Sequence, residues 1–149
     1  MTLEVMLRYR TRRPWAPAPA TLRGWARIAA AGRHDGELGI RIVGSAESRA
    51  LNGRYRGRRE PTNVLSFPVA PGRGPHRRLL GDIVVCAPVV AREARERKMA
   101  LRAHWAHMVI HGTLHLLGFD HERPADARRM ESRERELLWR LGFADPYGD

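Results

Sequence analysis

The stretch of this chain that most constrains its fold is His111-Gly-Thr-Leu-His115-Leu-Leu-Gly-Phe-Asp-His121. Residues four apart lie on one helical face about a turn along, so His111 and His115 can turn ring nitrogens toward one metal ion. Gly118 accepts the left-handed conformation that ends a helix. The chain can then fold back and bring His121 in as a third ligand. Three protein nitrogens leave a fourth tetrahedral position for water, the pattern of a catalytic zinc and not of a closed structural one. Such an ion lowers the pKa of its water toward about 7 and makes a nucleophile at neutral pH.

His107 stands four residues before His111 and continues the stripe. Positions 107 and 115 are roughly 12 Å apart at about 1.5 Å per residue, too far to share one ion whose nitrogen bonds are about 2 Å. The choice is 107/111 or 111/115. The stop at Gly118 selects 111/115, because His121 folds back onto the last turn more readily than onto the one before. His104 and His107 are then expected to face the core or to support the ligands.

The 149 residues fit one unit, 1–149, with a core that needs no staples. Apolar runs fall well short of the roughly 20 residues that span a bilayer, and the N-terminus has no signal-peptide pattern. A cytoplasmic protein with no membrane partner is expected. The lone Cys86 lies in Ile83-Val-Val-Cys86 and reads as a small buried hydrophobe. The formal charge is +11, nearly all from arginine, since Lys98 is the only lysine. Such an excess of cations favours a polyanionic partner and argues against a small-molecule metallohydrolase.

Periodicity places strands at Leu3–Tyr9, from Leu38 to Val43, Val64–Phe67 and Leu79–Cys86, the last an apolar run suited to burial on both faces. Helices are expected over Thr21–Ala31 with Gly32 as its stop, over Ala46–Asn52 behind Ser45 as N-cap, and from Pro88 to about Lys98. A longer helix runs from about Leu101 to Gly118. A final one opens near Pro124 with Ala127, Met130, Leu137, Leu138 and Leu141 on one face. Arg10–Pro19 and Ala70–Pro75 read as loops, and Gly53–Pro61, with Arg54, Arg56, Arg58 and Arg59, as an exposed basic segment. The alternating charges of Arg129–Glu136 read as a solvated face. Ser66 and Asp82 are expected to be buried with hydrogen-bonded partners. The sum is an α+β fold, a mixed sheet of about four strands surrounded by helices.

Beyond the histidine string, the text Leu51-Asn52, Tyr55-Arg56, Pro61-Thr-Asn-Val-Leu-Ser-Phe-Pro68, Leu80-Gly-Asp-Ile83, Trp105-Ala-His-Met108, Leu141-Gly-Phe143 and Asp145-Pro-Tyr147 resembles the YbeY family of bacterial endoribonucleases, the rRNA maturation factors. The resemblance runs from about residue 38 to the C-terminus, and the first 35 or so residues match loosely. It implies a zincin-like fold, one Zn²⁺ on His111, His115 and His121, and single-strand-specific cleavage of RNA. It also implies a role in small-subunit ribosomal RNA maturation and ribosome quality control. The expected partners are ribosomal RNA precursor and small-subunit proteins or an assembly GTPase, with no DNA. The family's proposed catalytic arginine falls on Arg56. Asn63 stands where many members carry Asp.

A zincin protease carries Glu directly after its first histidine as general base, and this chain has Gly112 there. Peptide hydrolysis by that scheme is disfavoured. A phosphodiester is already anionic, so a metal and an arginine suffice as electrostatic clamps, and a planar guanidinium such as that of Arg56 can grip two phosphate oxygens. Asp120 can orient a ligand imidazole or act on the water, or it can simply turn the chain. Gly112 within a helix hints at close backbone packing or space for substrate. The alternative to an enzyme is an RNA-binding assembly factor with a structural metal and little nuclease activity.

Overall fold

The computed structural model describes residues 3–31, 36–69 and 79–148. In chain order the elements are β1 (Glu4–Tyr9), α1 (Pro19–Ala29), β2 (Glu37–Val43), α2 (Ser45–Arg56), β3 (Val64–Pro68), β4 (Leu79–Cys86), α3 (Ala87–Glu96), α4 (Leu101–Leu116) and α5 (Pro124–Arg140). The strands form one mixed sheet in the order β1-β2-β4-β3. β1, β2 and β4 are parallel, with Ile40 opposite both Leu7 and Ile83, and β3 closes the edge antiparallel to β4 with Ser66 opposite Ile83. This is the expected α+β fold.

Side chains alternate across a strand, so β4 feeds two cores at once. Ile83 and Val85 join the main cluster beneath α1, α4 and α5, while Val84 and Cys86 join Val43, Leu65 and Val89 on the other face. The continuous apolar run of β4 is thereby accounted for, and Cys86 is buried as expected. α4 is buried over almost its whole circumference, from His104 through Ile110 and at Gly112, Thr113, Leu114 and Leu116. A helix apolar all round belongs in the interior. Its polar histidines are therefore forced either to find internal partners or to line an opening. Among the described residues no helix is long and apolar enough to cross a membrane.

Local chemistry explains where boundaries differ from expectation. α1 opens at Pro19, since proline suits the first turn, and ends at Ala29 with the Ala30 N–H on the Ala26 carbonyl. Gly32 and the Ala70–Pro75 loop lie outside the described residues. α2 starts at Ser45 behind Gly44, so Ser45 is not the N-cap, and it runs through Gly53 to Arg56, one turn past the expected end. The stop is Gly57 at φ +67°, whose N–H bonds the Gly53 carbonyl, followed by the Arg58 N–H on Asn52. Buried Ser48 and Asn52 tie the outgoing chain to α2. Ser48 Oγ donates to the Thr62 carbonyl at 3.1 Å and accepts its N–H at 3.0 Å, and Asn52 Nδ2 donates to the Glu60 carbonyl at 2.7 Å. Arg54 and Arg56 thus sit on a helix end and not on a loop, though the whole segment from Gly53 to Glu60 is exposed.

α4 lies close on the sheet because Gly112 has no side chain. A Cβ there would stand 2.8 Å from Ile83 Cγ2. Ser66 Oγ reaches across from β3 to donate to the Gly112 carbonyl at 3.3 Å. Close packing, one of the two reasons anticipated for this glycine, is present. Gly112→Ala should lower stability by about 1–2 kcal/mol, the strain of overpacking against fully buried Ile83 outweighing the gain of about 1 kcal/mol in helix propensity. A urea unfolding midpoint equal to or above that of the unaltered chain would show that α4 can shift to make room.

Candidate metal centre and its cleft

α4 presents His104, His107, His111 and His115 on successive turns, and each finds a different environment. His111 Nδ1 lies 2.8 Å from Glu134 Oε2, and His115 Nδ1 lies 3.0 Å from the Phe119 carbonyl. Carboxylates and carbonyls only accept, so both rings carry the proton on Nδ1 and keep the Nε2 lone pair for another partner. Gly118, at φ +101°, ends the helix after Leu117 and lets the chain turn back. That turn sets the His121 ring 5.4 Å from His111 and 5.8 Å from His115 between centroids. A cleft of about 280 Å³ collects these three histidines together with Arg56, Ser66 and Asp120. The structure therefore brings together all five residues singled out from the sequence.

Among the described residues, the set of possible ligand atoms lying within 4.8 Å of one another is His107, His111 and Glu134. Its contacts have the lengths of hydrogen bonds. Glu134, fully buried, takes His111 Nδ1 at 2.8 Å, His107 Nε2 at 3.3 Å and the Tyr147 hydroxyl at 2.5 Å. Tyr147 OH also lies 3.1 Å from His107 Nε2. With the phenolic proton on Glu134, His107 donates from Nε2, and its buried Nδ1 has no partner among the described residues. Burial alone pushes the Glu134 carboxyl up, but hydrogen bonds from His107 and His111 outweigh it and hold it at about 2. Burial, then the neighbouring Glu134 charge, pushes the Tyr147 phenol well above its ordinary value. This carboxylate is a hydrogen-bond hub that orients His111 from behind, the arrangement that commonly fixes metal-binding imidazoles. His104 and His107 face the interior, as the helical spacing suggested.

Sequence reasoning placed Glu134 on a solvated face, and the structure corrects this. The signal was present, because Glu134 falls four residues after Met130 and three before Leu137 on the buried stripe of α5. Asp82, expected to be buried, is exposed, and Ser66 is half-buried with its partner on Gly112. Asp120 Oδ1 accepts the Glu122 N–H at 2.9 Å, which shapes the turn leading to His121. That bond, with lesser help from the His121 N–H and the two nearby histidines, holds the Asp120 carboxyl below the usual carboxylate range. Arg56, at the end of α2, has no hydrogen bond or ion pair with another described side chain. Behind the cleft a second polar group is locked. Asn63 Nδ2 donates to both oxygens of Glu93 at 3.0 and 3.3 Å, Asn63 Oδ1 accepts the Val64 N–H at 2.6 Å, and His104 Nε2 lies 2.8 Å from Glu93.

Fold and site together define an α+β protein whose histidine cluster opens into a cleft lined also by Arg56, Asp120 and Glu122. The family model described as Endoribonuclease YbeY matches residues 23–142. The chain belongs to the YbeY family. A relative named Endoribonuclease YbeY from Halorhodospira halophila (strain DSM 244 / SL1) is 54% identical over 136 residues, covering 89% of this chain and 88% of the relative. Another of the same name from Stenotrophomonas maltophilia (strain R551-3) is 50% identical, covering 97% and 93%. The solution structure of TM1509 from Thermotoga maritima covers 99% of both chains with a TM-score of 0.59 at 24% identity, a likeness of fold.

Burial raises the Glu93 carboxyl, but hydrogen bonds with His104 and Asn63 overcome it and leave it below its ordinary value of 4.5. A carboxyl depressed in the folded state stabilises the fold above its unfolded pKa, and that contribution is lost as pH falls through the folded value. The unaltered chain should therefore lose stability below about pH 4.5 more steeply than Glu93→Gln. Parallel urea titrations from pH 7 to 3 measure this, and identical slopes for the two proteins would remove Glu93 from the acid response.

Proposed function

We propose that this chain is a zinc-dependent, single-strand-specific endoribonuclease acting in small-subunit ribosomal RNA maturation and ribosome quality control. One observation carries the reading: His111 and His115, each with Nδ1 tied to an acceptor, share a cleft with His121 and with Arg56, which has no ion pair among the described residues. The tied rings suit a metal, because the lone pairs left on Nε2 are those a divalent cation takes. His111, His115 and His121 would hold one zinc ion, which would supply Lewis-acid stabilisation of charge on the phosphate. The names of the curated relatives support the endoribonuclease activity.

The chain's own residues account for the preference for a phosphodiester. Gly112, packed on Ile83, offers no proton acceptor where a zinc protease carries its glutamate. Arg56 can grip two phosphate oxygens as charge builds on them. Asp120 contributes a carboxylate to the same cleft and can accept a proton there. Glu134 and the Phe119 carbonyl keep two imidazoles from rotating, so the site is set before substrate arrives. A ribosomal RNA precursor is the expected substrate, with small-subunit proteins or an assembly GTPase as partners in the cytoplasm.

His115→Ala should lose most bound zinc while His107→Ala retains it, as read by elemental analysis of the purified proteins. Equal loss in both would move the site to the His107, His111 and Glu134 group. Arg56→Ala should slow cleavage of single-stranded RNA by at least about 100-fold at unchanged zinc content, with Arg56→Lys recovering only part. Single-turnover rates at saturating protein decide this. If Arg56→Ala cleaves there as fast as the unaltered chain, the arginine only recruits RNA. If chelation unfolds the chain and the intact protein cleaves nothing, the metal is structural and the assembly-factor reading replaces the enzyme.

A further inference from the structure

Two cavities adjoin the histidine cleft, one sharing Asp120 with it and the other Arg56, His111 and His121, and their charge differs. One, of about 430 Å³, is lined by Asp120, Asp126 and Arg129 beside Leu117–Phe119. Its single cation is already engaged, with Arg129 Nη1 3.6 Å from Asp126 Oδ1. The other, of about 310 Å³, shares Arg56, His111 and His121 with the cleft and adds Arg97, His107 and Tyr147. Arg97 caps α3 with its backbone N–H on the Glu93 carbonyl, and its guanidinium has no ion pair or hydrogen bond with another described side chain. A polyanion leaving the metal site is repelled by the two carboxylates on the first side. On the second it meets the guanidiniums of Arg56 and Arg97, the latter within electrostatic reach of the Glu93 carboxylate but not ion-paired to it.

The second cavity is also built and not merely charged. Tyr147 is held in place by its bond to Glu134, by the Asp145 carboxylate on its backbone N–H at 2.8 Å, and by the Arg135 guanidinium 5.1 Å from its ring centroid. Its ring meets His107 edge-on at 5.3 Å, and it remains 41% exposed. His107, 5% exposed, lines the cavity, and its buried Nδ1 has no partner among the described residues. We propose that this cavity is a nucleotide subsite of the RNA strand: Arg97 binds the phosphate next to the scissile one, and the nucleotide between them lies over His107 and Tyr147. The subsite rests on the endoribonuclease reading above and gives it a direction, with the strand running from the histidine cleft toward α3 and away from Asp126.

The test uses the zinc-loaded full chain and single-stranded oligoribonucleotides shortened stepwise from either end. Arg97→Ala should raise KM by about tenfold, the scale of one charge-assisted hydrogen bond, with kcat changed less than about twofold. Arg97→Lys should recover part of the loss, since an ammonium still binds a phosphate as a point charge. The salt slope of RNA binding should fall by about 0.7 in Arg97→Ala, as expected for one lost contact to a single strand. Shortening the RNA from one end should abolish the difference between the two proteins, and shortening from the other should preserve it. Arg129→Ala, which removes an arginine already paired, should match the unaltered chain. An intact chain that cleaves while Arg97→Ala shows an unchanged KM would overturn the subsite alone, as would equal losses in Arg97→Ala and Arg129→Ala. An intact chain that cleaves no RNA would overturn the endoribonuclease reading and the subsite with it.

Discussion

The site depends on one buried carboxylate. Glu134 is fully enclosed, yet it remains ionised because His107, His111 and Tyr147 all converge on it. Burying an unpaired charge is prohibitive, and removing one partner of such a group leaves the rest uncompensated. The three partners come from α4 and from the C-terminal tail, while the carboxylate comes from α5. A single charge thus fastens three separate parts of the chain and fixes the rotation of α4 about its own axis. That rotation determines which histidines face the cleft. His111 lies at the boundary, with Nδ1 on the hub and its ring lining the cleft beside His115 and His121.

The depth at which α4 sits is set by a different contact. The absence of a side chain at Gly112 brings the helix backbone against Ile83 and within reach of Ser66 on the edge strand β3. Because β3 is the last strand of the sheet, nothing in the sheet lies beyond it, and the space between it and α4 opens into the cleft. α2 reaches the same opening from the other face of the sheet. Its Gly57 cap and the tethering of Thr62 and Glu60 to Ser48 and Asn52 hold Arg56 at the rim. Packing and hydrogen bonding, not attraction between arginine and the site, carry the guanidinium there.

Charge is distributed so that this opening stays available. Many of the chain's arginines are engaged elsewhere, such as Arg135 with Asp145, Arg140 with Glu136, and Arg41 and Arg10 with Glu47. Exposed pairs of this kind contribute little to stability. They do neutralise those parts of the surface, whereas Arg56 and Arg97, which line the cavity beside the histidines, form no ion pair with another described side chain. Asp120 and Asp126 line one neighbouring cavity and Arg97 the other, an asymmetry of charge that favours a polyanion on the Arg97 side.

The sequence by itself determined the strands, the helix stop at Gly118 and the histidine spacing, because each follows from local periodicity or from the conformational freedom of one residue. It also marked Arg56 and Asp120 through short motifs. It placed the end of α2 a turn early, since Gly53 reads as a break when the hydrogen bonds of Ser48 and Asn52 to the outgoing chain are not visible. Only the tertiary structure decided that Glu134 is buried, that His107 donates to it and to Tyr147 while His111 faces both ways, and that Arg97 shares a cavity with Arg56. These facts join residues far apart in the chain. Whether an acid on a mixed stripe such as Met130, Glu134 and Leu137 is solvated or enclosed depends on what packs opposite, and there the opposite surface is α4 and the C-terminal tail, whose donors make enclosure of the charge possible.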